Sequence, residues 1–154
     1  MIQFTTTVTI RRSVEEVFGF VVRGENGPKW NSAVREVQQL SEGPVGVGTR
    51  YRMLRELPGG KVENVYEITG FEPNRSLSIK IVSGPTPFVY HYSFEPSGQG
   101  TRLTLDAEVE KEGLVGVLGM KARIAPDFVL ARFLKSGVES NFKTLKHILE
   151  SGRA

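Results

Sequence analysis

The chain has 154 residues, a net charge of +3, 39% hydrophobic and 24% charged side chains, and no cysteine. That length suits one domain able to bury its own core without a staple. The missing cysteine excludes disulfide scaffolds, thiolate metal centres, iron–sulfur clusters and cysteine nucleophiles. Residues 2–11 alternate, with Ile2, Phe4, Thr6, Val8 and Ile10 on one face, which predicts a half-buried strand. Ser13 followed by Glu16 makes a capping box, and Val14, Val17, Phe18, Val21 and Val22 give the helix behind it an apolar stripe. Gly24 and Gly27-Pro28 end that helix, and Lys29-Trp30-Asn31 is assigned to a second short helix or turn. Six more strands are predicted at 33–40, 49–57, 61–71, 76–82, 88–95 and 101–110, with Gly- and Pro-rich turns between them such as Pro58-Gly59-Gly60. Pro126 suits the first turn of a helix, or a kink in a longer one. From there Phe128, Ala131, Val138, Phe142, Leu145 and Leu149 recur at helical spacing. They predict an amphipathic helix of about 25 residues, roughly 37 Å long.

The predicted class is α+β, a single domain over 1–154. Its seven-stranded antiparallel sheet curves around the long C-terminal helix, with two short helices after the first strand. A curved sheet cannot touch a straight helix everywhere, so a cavity between them is expected. Several chemistries are disfavoured by spacing. The glycines of GPVGVGTRYR (43–52) lead into an alternating strand, without the lysine and helix that a phosphate loop needs. His91 and His147 lie on different elements with no carboxylates at ligand spacing, so no metal site is expected. No serine stands in a nucleophile motif with a histidine. Basic and acidic residues are interleaved, so nucleic acid is not an expected partner. Residues 1–12 lack the pattern of a signal peptide, no apolar run is long enough for a transmembrane segment, and a cytoplasmic setting is expected. Asn74-Arg75-Ser76 fits a glycosylation sequon by chance only.

The order of elements resembles the START-like superfamily, also called SRPBCC or helix-grip proteins. The matching stretches are IRRSVEEVFGFV (10–21), GPKWN (27–31), GPVGVGTRYR (43–52), YEITGFEPNRSLSIK (66–80), GQGTRLTLDAEVE (98–110) and NFKTLKHILE (141–150). That superfamily includes birch-pollen-allergen-like proteins, lipid-transfer START domains and aromatase/cyclases. The resemblance points most to its polyketide cyclase/dehydrase-like branch. It implies a small hydrophobic or aromatic ligand held between sheet and helix, no cofactor, and a monomer or homodimer. A cyclase or dehydratase using the same cavity, and a lipid or partner-protein module, are the alternatives.

Strand register nominates the cavity wall. Phe88, Tyr90, Tyr92 and Phe94 share one face of the fifth predicted turn-to-turn strand after the helices, and Leu77, Ile79 and Ile81 one face of the strand before it. Tyr51, Met53 and Arg55 fall in one register, and Asn64, Tyr66 and Ile68 in another. An inward Arg55 needs a carboxylate partner or a ligand anion, whereas at an open rim it would be solvated. Trp30 reads either as a plug over the core or as a ligand contact. The apolar segment GLVGVLG (113–119), with Leu118, reads as a helix start or as an entrance gate. The expected ligand cavity therefore comprises Trp30, Tyr51, Met53, Arg55, Asn64, Tyr66, Ile79, Phe88, Tyr90, Tyr92, Leu118 and Phe128. In the enzyme alternative, Arg55, His91 and the tyrosines would steer proton transfer. His91 alternates with the aromatic face and is expected on the outer side of the sheet.

Overall fold

The computed structural model describes residues 1–57 and 59–152, with the backbone alone at Val117. Pro58 of the predicted Pro58-Gly59-Gly60 turn and the last two residues of the chain lie outside it. β1 (Ile2–Ile10) leads to Ser13, which caps α1 (Val14–Val22). The Glu16 N–H donates to Ser13 Oγ at 3.2 Å, and the Ser13 hydroxyl donates back to the Glu16 carboxylate at 3.1 Å. A 3₁₀ turn (Gly24–Asn26) and α2 (Gly27–Trp30) follow. The meander is β2 (Val34–Gln39), β3 (Arg50–Leu57), β4 (Gly60–Glu72), β5 (Ser76–Ser83), β6 (Phe88–Ser97) and β7 (Gly100–Val109). All pairs are antiparallel, in the order β1-β7-β6-β5-β4-β3-β2. Every predicted strand is present, to within two residues at each end.

Between β7 and the long helix, where the sequence offered a helix start or an entrance gate, the chain forms two separate short helices. They are α3 (Lys111–Leu118) and α4 (Met120–Ile124), separated by Gly119 at φ 85°. Glycines lower helix propensity in GLVGVLG, and burial of Leu114 supplies the tertiary packing that overrides it. Pro126 stands at the N-cap with extended backbone (ψ 148°), so it starts α5 (Asp127–Ser151) and kinks nothing.

Lys111 Nζ donates to Asp127 Oδ1 at 2.9 Å at the start of α5, and the far end is fastened to β1 and the turn after it. Arg12 Nε donates to the Leu149 carbonyl at 2.7 Å, Lys146 Nζ to the Thr9 carbonyl at 2.6 Å, and the Arg11 N–H to Glu150 Oε2 at 2.9 Å. Phe142, Leu145 and Leu149 are buried there against the sheet, with Leu130 the one buried residue of the first half. Phe128 and Phe133, by contrast, are 72% and 58% exposed. The first half of the helix therefore stands off the concave face, and the expected gap opens beneath it.

The outer face carries charge. Arg50 pairs with Glu67 at 2.8 Å, and Arg52 with Glu63 at 2.6 Å and Glu36 at 3.1 Å. Such exposed pairs contribute little stability each, but their alternation fixes which β3 side chains face inward: Tyr51, Met53 and Arg55. Among the described residues no helix is long and apolar enough to cross a membrane.

Candidate functional site

Three connected compartments lie between the sheet and the helices, and Phe88 and Tyr90 border all of them. The largest is a cleft of about 420 Å³ under α5, walled by Trp30, Met53, Arg55 and Tyr92 from one side and Leu134 and Val138 from the other. Behind it a chamber of about 80 Å³ reaches Tyr51, Tyr66, Ile68 and Ile79. A side crevice of about 110 Å³ runs toward Leu114, Leu118 and Phe133. Trp30 is buried with its ring 6.2 Å from that of Phe142, so it closes one end of the core and also borders the cleft.

Ten of the twelve sequence-nominated residues thus line one or more compartments. Asn64 lines none of the three but lies directly behind Arg55, 1% exposed. Phe128 is a correction: it is 72% exposed and borders none of them. It sits on the apolar stripe of α5, but in the first turn, ahead of Leu130 where burial of that helix begins. His91 points outward as its register predicts, with its Nδ1 2.5 Å from Ser78 Oγ. It takes no part in the cavity.

Arg55 faces inward, and its guanidinium is held by neutral groups alone. Nε and Nη2 donate to Asn64 Oδ1 at 3.0 and 2.6 Å, and Nη2 also donates to Thr86 Oγ1. The Phe88 ring covers it at 5.7 Å. Among the described residues no carboxylate lies within 4.0 Å of it, and Nη1 makes no hydrogen bond. Burial pulls its pKa below the usual arginine value, an effect the neighbouring Tyr90 opposes.

The loop that supplies Thr86 is tightly determined. Asn64 Nδ2 donates to the Pro85 carbonyl at 2.6 Å, as does the Thr86 hydroxyl at 2.6 Å. Gly84 has φ 97°, and a Cβ there would lie 2.4 Å from the Glu63 carbonyl oxygen, so only glycine fits. Thr86 is buried with φ 56°, a region that costs a β-branched residue about 1–3 kcal/mol. Sequence reasoning missed Thr86 and Pro85. The string SGPTP announces a turn, but a left-handed threonine has no sequence signature.

Asn31, Ser136, Ser140 and Asn141 add polar groups at the cleft, and the tyrosines add phenols. Tyr51 and Tyr66 stack at 5.0 Å, and Gly24 makes room for both. The Tyr51 hydroxyl lies beside the Gly24 backbone and is buried without a full hydrogen bond. Burial raises the pKa of Tyr51, Tyr66, Tyr90 and Tyr92 alike. All four phenols therefore stay protonated at ordinary pH, each with an O–H available to donate.

The comparisons agree with this architecture. Similar solved structures include a START superfamily protein from Mycobacterium smegmatis, with TM-score 0.78 at 18% identity, covering 98% of this chain and 99% of that one. The allergen Ara h 8.0201 matches with TM-score 0.70 at 17% identity over 97% of both chains. The di-domain ARO/CYC StfQ of the steffimycin biosynthetic pathway matches with TM-score 0.72 at 17% identity over 99% of this chain and 51% of its own. At these identities the likeness establishes the helix-grip fold. No curated protein matches the chain in sequence. Residues 1–150 match the family described as polyketide cyclase / dehydrase and lipid transport, and the chain belongs to that family.

Proposed function

We propose that the protein binds one small hydrophobic or aromatic molecule in the cleft between the sheet and α5. The carrying observation is a cleft of about 420 Å³, largely apolar and sharing its walls with a second chamber. Its volume falls in the range of small-molecule sites. The aromatic walls supply contact area, and the protonated phenols orient a polar atom. A neutral fluorescent probe, N-phenyl-1-naphthylamine, is expected to bind saturably with one-to-one stoichiometry. Met53→Trp, which fills the cleft, should abolish that signal while circular dichroism stays unchanged. No saturable binding to the wild type, or binding indifferent to Met53→Trp, refutes the assignment.

A second reading is a cyclase or dehydratase working in the same cleft, favoured by the family and by the convergence of Arg55 and Tyr90 on one wall. Against it, the inward phenols are all shifted away from neutrality, and His91 faces solvent. General acid–base catalysis works best with a pKa near the operating pH. Native mass spectrometry of protein isolated from its own host separates the two: a retained ligand identifies itself.

A further inference from the structure

We infer that the ligand is an apolar acid, whose carboxylate is received at the Nη1 edge of Arg55. This rests on the ligand-binding reading above and adds the chemical class of the ligand's polar end.

β3 carries three arginines. Arg50 and Arg52 face outward, and each has a carboxylate in contact. Arg55, the one with least water around it, has only Asn64 Oδ1, Thr86 Oγ1 and a distant Pro85 carbonyl at 3.5 Å. Neutral acceptors orient this half-buried guanidinium but leave its charge without an opposite partner, and drawing such a charge out of water is costly. The surrounding structure nevertheless holds it there. A buried asparagine and a left-handed threonine converge on its Nε and Nη2 side, and a glycine that no other residue can replace packs against that asparagine. Strain of this kind persists where the surroundings over-determine it, and it clusters at ligand sites. The side left without a partner, Nη1, belongs to the residue that borders both the cleft and the side crevice. The Tyr90 phenol lines the same wall and is a second donor for an anion's oxygen.

A single guanidinium in an apolar cleft matches a monoanion. Among the described residues no second cation borders the cleft to balance a phosphate dianion. Planar carboxylate and guanidinium also share the geometry of parallel N–H···O bonds.

The test compares cis-parinaric acid with its methyl ester, in wild type, Arg55→Met and Arg55→Lys. The acid is expected to bind wild type about 10–100-fold more tightly than the ester, the worth of a charge-assisted hydrogen bond. Arg55→Met should erase that preference, read as the ratio of acid to ester affinity within each protein, and Arg55→Lys should keep part of it. In wild type, affinity for the acid should fall as pH drops below the carboxyl's own range, about 4–5, with the ester flat. That pH contrast decides the matter even where Arg55→Met fails to fold. Equal binding of acid and ester, or a preference that survives Arg55→Met, overturns the anion site and leaves the binding function standing. Failure of both probes in wild type overturns the binding function and this inference together.

Discussion

Gly24 is the point where the 3₁₀ turn presses on the stacked Tyr51–Tyr66 pair, and its replacement by alanine tests how tightly that corner is packed. A Cβ built there lies 2.5 Å from Tyr66 Oη and 2.8 and 2.9 Å from Tyr51 Cε1 and Cδ1. All three are closer than carbon atoms tolerate. Tyr51 is fully buried, and the pair is stacked at 5.0 Å, so neither ring swings away freely. Overpacking of this kind costs about 1–3 kcal/mol, offset by up to about 1 kcal/mol because alanine is the better helix former. The net loss is about 1–2 kcal/mol, which lowers Tm by about 2–8 °C in a chain of this size. Urea unfolding followed by tryptophan fluorescence measures it. Tyr66→Phe removes the atom at 2.5 Å, so the double variant should recover about 0.5–1 kcal/mol relative to the sum of the singles. A Gly24→Ala protein as stable as wild type, or strict additivity with Tyr66→Phe, would refute the packing argument. The displaced rings also line the inner chamber, so probe affinity should fall alongside stability.

Phe142→Ala removes a ring that is 2% exposed and faces Trp30, and should cost about 3–5 kcal/mol with a Tm drop of about 6–20 °C. A red shift of Trp30 emission should accompany it as the cleft widens toward the tryptophan. Glu150 accepts from Lys146 at 2.7 Å and from the Arg11 N–H at 2.9 Å, which hold its pKa below the usual glutamate value. Its contribution to stability is complete above the unfolded value, about 4.3, and is lost as pH falls through the lowered folded value. Glu150→Gln should therefore flatten the pH dependence of unfolding free energy below about pH 4.5. An unchanged slope in urea titrations at several pH values would remove Glu150 from that role.

Period-two alternation was enough to place every strand and to put Tyr51, Met53 and Arg55 on one face, because a pleated strand leaves a side chain only two directions, but it left open whether Arg55 turns inward or lies at a solvated rim. It did not reach the partners of Arg55. Asn64 shares its neighbourhood through the β3–β4 register, in which Met53 is opposite Asn64 and Arg55 opposite Val62, and register is a property of two strands. Thr86 contributes through a positive φ, which single-residue preferences for threonine argue against. Helical spacing placed Phe128 on the correct stripe of α5, but the spacing carries no information about where along the axis burial begins. That α3 and α4 form as separate helices was hidden for a different reason: glycines mask a helix that forms through burial of Leu114 and Ala122.

Because only the far end of α5 is tied to β1, that helix has a graded resistance to opening. Amides from Phe142 onward share the protection of the sheet core, whereas the first turns, with Phe128, Val129 and Phe133 in solvent, exchange through local fraying. On the proposed binding function, entry to the cleft past these turns would separate no strand from its neighbour. On that function too, Leu134 and Val138 over the opening would set residence time from the helix side, while the sheet wall would set what is recognised.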